Sequence, residues 1–181
     1  MILHPETVLD QPRALRWVVD TGAIPCGAVR RAPAPLGAML EDGPISRILV
    51  EQGALWVWLH DAAAWVDRGP AIRNAIAEAV RRPGWQVEPT PEVLDLVARD
   101  VIAGCLGDYI ASHGGVVTVV ETTAVDVVVE MGGACADCPA AGITLHQRIE
   151  RSIRARYPGL REVRRQPGAA RWSRFAVSGS A

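Results

Sequence analysis

The sequence predicts an α+β protein built as two small α/β sandwich-like domains joined by a Pro-rich linker. Three observations carry that expectation. Along the chain, stretches in which apolar residues recur every second position are interspersed with stretches in which they recur at helical spacing. Between two such sets lies "RRPGWQVEPTPE", with three prolines and a glycine, through which neither neighbouring helix can extend. An apolar content of 49% over 181 residues is enough for packed cores. The expected boundaries are a first domain over 1–82, a linker over 83–90, a second domain over 91–165 and a mobile tail over 166–181.

In the first domain, "ALRWVVD" sets Leu15, Trp17 and Val19 against Ala14, Arg16 and Val18, the alternation of a strand. "APLGAMLED" reads as a short helix, with Pro35 near its start and Gly43 past its end. "SRILVE" and "ALWVWLH" are apolar runs joined by Gln52 and Gly53, which predicts a hairpin. Ile72, Ile76, Ala79 and Val80 fall at helical spacing, so a helix is expected from Pro70 to Arg82, stopped by Pro83 and Gly84. The resulting order is β-α-β-β-α. Trp56, Trp58 and Trp65 are expected as core or hairpin surface, and an exposed pair there would suit a partner.

In the second domain, Thr90 is placed as N-cap and Pro91 at the first position of a helix whose apolar face is Leu94, Val97, Val101, Cys105 and Tyr109. That helix is expected to run to about Ser112, where "HGG" ends it. "VVTVVE" and "VDVVVEM" form a second hairpin, with Val125, Val127, Val129 and Met131 on one face. After a loop containing Cys135 and Cys138, Pro139 opens a helix with Leu145, Ile149 and Ile153 toward the core, ending before Pro158 and Gly159. "LREVRR" is read as a last short strand.

Charge excludes several classes of partner. The formal net charge is −1 and all 19 basic residues are arginine, so nothing global points to nucleic acid or an anionic membrane. No segment approaches the ~18 uninterrupted apolar residues of a spanning helix, and the start of the chain does not read as a secretion signal, so a cytoplasmic protein is expected. Arginines crowd the stretch from Arg148 to Arg174, against an acidic stretch from Glu88 to Glu130; a solvated face and tail explain this, and client docking with Trp172 and Phe175 as anchors is the functional alternative.

Four cysteines are too few for a disulfide scaffold, and a close C-x-x-C pair points to a metal or redox site. Cys135 follows a strand in a glycine-led loop and Cys138 stands at the start of a helix, whose unpaired N–H groups and partial positive charge favour the thiolate that a metal ligand must be. Gly132 and Gly133 let the backbone come close. Cys105 is expected as a small buried hydrophobe, and Cys26 lies in the other domain. His4, His60, His113 and His146 have no metal-ligand spacing among themselves.

The run "GGACADCPAAGITLHQRIERSIRARYPGLREV" resembles the C-terminal domain of the NifU/Nfu iron-sulfur scaffold family, through Gly133, Ala134, Cys135, Cys138, Pro139, Thr144, Leu145, Ile149, Glu150, Pro158 and Val163. The resemblance covers roughly residues 91–165. "PLGAMLEDGPISRILVEQGALWVWLHDAAAWVD" is more faintly similar to the domain that accompanies this module in Nfu proteins, through Pro35, Leu36 and Trp65. The chain departs from the family pattern at His113, where an aspartate usually precedes the two glycines, at Ala140 and Ala141 in place of hydroxyl residues, and at "DQPRAL" in place of Asn-Pro-Asn.

The resemblance implies a protein that is not an enzyme and that carries a 4Fe-4S cluster on Cys135 and Cys138. Such a cluster takes four thiolates and one loop supplies two, so the implied assembly is a homodimer bridging the cluster. Its partners would be upstream cluster donors and apo iron-sulfur clients. The same C-x-x-C would also suit a thiol-disulfide redox protein or a zinc-binding dimer.

Overall fold

In the computed structural model of the chain, which describes residues 2–137 and 139–166, the protein is an α+β fold with two sheets. The first sheet holds β1 (His4–Thr7), β2 (Ala14–Val18), β3 (Gly27–Arg31), β4 (Ile45–Glu51), β5 (Ala54–Leu59) and β6 (Gln86–Glu88), in the order β1-β2-β5-β4-β3-β6 with every neighbouring pair antiparallel. Helices α1 (Leu36–Glu41) and α2 (Trp65–Ala79) belong to this half. The expected hairpin is β4–β5, turned by Gln52 and Gly53, and Gly53 takes the positive φ of 82° that a tight turn requires.

Differences from expectation at three strands share a cause, a weak apolar pattern, and two of the three, β1 and β6, are the edges of the sheet. β1 is "HPET", exposed throughout, and β3 is "GAVRR", so neither shows the apolar alternation by which strands are recognised. Within the segment expected to be a bare linker, Gln86–Glu88 pairs antiparallel with β3 as β6. The α2 helix begins at Trp65 rather than at Pro70. Asp61 caps a preceding 3₁₀ turn (Ala62–Ala64), its carboxylate accepting the Ala63 N–H at 3.0 Å, and Pro70 sits inside the helix.

Both faces of the β4–β5 hairpin are covered, which explains why its sequence reads as continuous apolar runs. Ile48, Val50, Leu55, Val57 and Leu59 pack with Leu36, Ile72 and Ile76 of α1 and α2. Leu49, Trp56 and Trp58 pack on the other side, in one cluster with Val93, Leu94, Val127, Val129, Ile149 and Ile153. Each aliphatic side chain buried in this way contributes ~1.5–3 kcal/mol. The tryptophan pair expected as a possible partner surface is instead interior: Trp56 and Trp58 are buried and stacked at 6.2 Å.

The second half comprises α3 (Pro91–Asp100), α4 (Gly107–Ser112), β7 (Gly115–Thr122), β8 (Asp126–Gly133), the single turn α5 (Ala134–Asp137), α6 (Pro139–Arg156) and β9 (Glu162–Arg165), with sheet order β7-β8-β9. Thr90 caps α3 as expected, accepting the Glu92 N–H at 3.3 Å. The helix is not continuous, however. Val101–Cys105 is a π-helical turn, closed by the Leu106 N–H to Val101 carbonyl bond at 3.0 Å. A π turn inserts one residue and so rotates everything after it by about 100°. The buried series therefore runs Leu94, Val97, Val101 and then Ile102, Leu106, Ile110, while Cys105, expected to be buried, is exposed.

Valines 127 and 129 and Met131 are buried on β8 as expected, but Val125 precedes the strand and is exposed. β9 joins β8 in parallel, with Val127 opposite Val163, after the crossover through α6. The tail expected over 166–181 lies outside the described residues apart from Gln166, and with it Trp172 and Phe175.

The C-terminal end of α6 is fastened to the first sheet by a buried charge cluster. Glu51, at the end of β4, has no exposed side-chain surface. Its carboxylate accepts Arg156 at 3.1 and 2.9 Å, Arg16 Nε at 2.8 Å and the Trp56 indole N–H at 2.9 Å. Arg156 also donates to Asp100 on α3 at 2.7 Å, and its carbonyl accepts the Gln52 N–H at 3.0 Å.

Candidate functional site

The site expected from the sequence is the junction of β8 with α5 and α6. β7 and β8 close on the pair Gly115–Gly133. Gly133 then takes a φ of 59°, and a Cβ there would stand 2.3 Å from the Gly114 carbonyl oxygen, so glycine is demanded by both conformation and space. The same carbonyl accepts the Ala134 N–H at 3.0 Å, tying the loop back to the start of β7. The cysteine loop thus leaves the sheet at a fixed angle.

Cys135, the second residue of α5, is 4% exposed. It belongs to the apolar cluster that includes Ile110 of α4 and Met131 of β8. Its sulfur lies over Gly115, at 2.2 Å from where a Cβ on that residue would be. Cys138, the other expected ligand, lies outside the described residues.

Cys26 and Cys105 are placed elsewhere. Burial pushes the Cys26 thiol up, with the Glu51 charge acting in the same direction against a hydrogen bond from the backbone of Gln52. Cys105 sits on the π turn, its thiol 3.4 Å from the Val101 carbonyl. Among the described residues, no group of three or more His, Cys, Asp or Glu side chains is arranged to hold a metal ion. His146 lies 3.7 Å from Glu150 one turn along α6, and His113 packs on Tyr109 with ring centroids 4.6 Å apart. Arg148 of α6 stands over the Tyr109 ring, 4.6 Å from its centre.

A family model described as a NifU-like domain matches residues 99–164, a span containing both Cys135 and Cys138. Over that span the chain is similar to NifU-like domains. The described elements of the matched span are the π turn, α4, the β7–β8 hairpin, the cysteine loop, α6 and most of β9. Across a longer stretch, the chain is 40% identical over 111 residues to the "Fe/S biogenesis protein NfuA" of Vesicomyosocius okutanii, covering 60% of this chain and 57% of that protein. It is 34% identical over 110 residues to the protein of the same name from Stenotrophomonas maltophilia, covering 59% and 54%. A third such protein, from Xanthomonas axonopodis, is 36% identical over 88 residues, covering 47% and 44%. The chain thus spans about half the length of the curated relatives it matches.

Sequence reasoning singled out the two cysteines that the matched span contains, but not what surrounds the first of them. "HGG" was legible as a helix stop, which needs one glycine. The second, Gly115, was a signal left over, and it is the residue against which Cys135 packs. Arg156 and Glu51 were legible only as charges, since 105 residues separate them.

Proposed function

We propose that this protein carries a 4Fe-4S cluster as cargo, held between two copies of the chain by Cys135 and Cys138 of each, and delivers it to apo-proteins. The observation that carries the reading is the NifU-like match over 99–164, with Cys135 at the strand-to-helix junction. The relatives' shared name, Fe/S biogenesis protein, supports the same role. Four thiolates complete the cluster, so two chains are needed where each gives two. Ligands shared across a small interface can be replaced one at a time by an acceptor's thiolates, with no redox step required of the carrier.

In this reading, residues 91–165 form the cluster-binding unit and 1–82 a companion that selects clients or steadies it, in the cytoplasm. Among the described residues, no helix is long and apolar enough to cross a membrane. Upstream donors load the carrier and apo iron-sulfur proteins receive from it. The test is anaerobic reconstitution with iron and sulfide, followed by metal and sulfide analysis and transfer to an apo-protein whose activity requires the cluster. About four irons and four sulfides per two chains, lost in Cys138→Ala, is the expected result. Iron-free protein with a reversible Cys135–Cys138 disulfide would favour a redox role, and tightly bound zinc a zinc dimer.

A further inference from the structure

Gly115 has no conformational reason to be glycine. Of the four glycines around the loop, Gly114 and Gly133 have φ of 65° and 59°, which favour glycine outright, whereas Gly115 lies outside the positive-φ region, in the β7 ladder opposite Gly133. At Gly132, a Cβ would meet only the Val116 Cβ, at an ordinary 3.8 Å. At Gly115 it would stand 2.2 Å from Cys135 Sγ and 3.3 Å from the Ile110 carbonyl oxygen. The sulfur occupies the space that any side chain at this position would fill.

We propose that Gly115 is a positioning residue, the seat that shelters the Cys135 thiol inside the protein, and that the thiol leaves this seat to bind a cluster. The inference rests on the reading of Cys135 as a ligand. At 4% exposure, packed with Ile110 and Met131, this thiol is withheld from water, oxidants and stray metal ions. Rotation about the Cα–Cβ bond moves sulfur from the core toward the loop surface without moving the strand, and glycine at 115 is what leaves the inward position open. The chain can then present the thiol when the loop is engaged and shelter it otherwise.

The experiment is metal-free. The full chain, kept anaerobic with chelator, is treated with iodoacetamide, and the alkylation rate of each cysteine is followed by peptide mass spectrometry in buffer and in urea. Cys135 is expected to react at least about tenfold more slowly in the folded protein than in urea, and the exposed Cys105 to be slowed far less. In Gly115→Ala, Cys135 should approach its urea rate while Cys26 keeps its wild-type protection, and Gly132→Ala should change neither. Wild-type Cys135 reacting as fast as Cys105, or unaltered protection in Gly115→Ala, overturns the proposal. Should Gly115→Ala fail to fold, Gly115→Ala combined with Cys135→Ala removes the sulfur in the way; recovery of its circular dichroism supports the seat, and no recovery overturns it. None of these readings involves iron, so failure to hold a cluster would leave them standing.

Discussion

Replacing Glu51 should destabilise the whole chain more than any surface charge change. In Glu51→Ala, the guanidiniums of Arg16 and Arg156 and the Trp56 indole N–H all lose their shared acceptor in a site where the carboxylate has no exposed surface. Removing one partner of a buried pair costs about 3–5 kcal/mol, because the remaining charge stays buried without its partner. Arg156 retains Asp100 at 2.7 Å and Arg16 retains Glu6 at 2.6 Å, which places the expected loss toward the lower end of that range. With a urea m-value of about 2 kcal/mol per molar, the midpoint should fall by about 1.5 M. Arg156→Met, which keeps the apolar stem and leaves Glu51 paired with Arg16 and Trp56, should cost about half as much. Urea unfolding followed by tryptophan fluorescence is the assay, since Trp56 reports on the cluster directly. Glu51→Ala costing under about 1 kcal/mol, the scale of an exposed pair, would refute the reasoning.

Other consequences follow from the same geometry. The hydrogen bond from Arg161 holds the Asp126 carboxyl below the usual carboxylate range, against the opposing effect of burial. A depressed folded pKa gives stability that is present above the unfolded value of about 3.9 and lost as pH falls through the folded one; Asp126→Asn should therefore flatten the acid end of the stability curve below about pH 4, measured by urea titration at each pH. The π turn predicts that Leu106→Ala costs about 2–5 kcal/mol while Cys105→Ala stays within about 0.5; equal costs would mean that the register does not shift. Gly133→Ala should cost more than Gly53→Ala, which meets open space and has only the positive φ to oppose it, about 1–2 kcal/mol by thermal or chemical unfolding.

Where packing and local signals agree, the sequence was legible: Thr90 and Pro91 start α3, Gln52 and Gly53 turn the first hairpin, and the valine runs are β7 and β8. The edge strands β1 and β6 were not, because pairing with a neighbour, rather than burial of one face, makes them strands, and neither was β3, a short strand between β4 and β6 that ends in two exposed arginines. The π turn escaped because nothing in "VIAGC" alters the helical period until Leu106 and Ile110 compete with Cys105 and Tyr109 for the core. At the site, spacing singles out Cys135 and Cys138 as candidates, and the inward placement of Cys135 was not legible, since it depends on Gly115, twenty residues earlier in the chain.

The central claim is that one cluster is shared by two chains through Cys135 and Cys138. Native mass spectrometry of the anaerobically reconstituted protein tests it most directly, because it counts chains and clusters in the same particle. The account predicts a dimer carrying a single 4Fe-4S cluster that disperses to cluster-free monomers when Cys135 and Cys138 are both replaced by alanine. An intact cluster on a single chain, or one retained by the double variant, would contradict it.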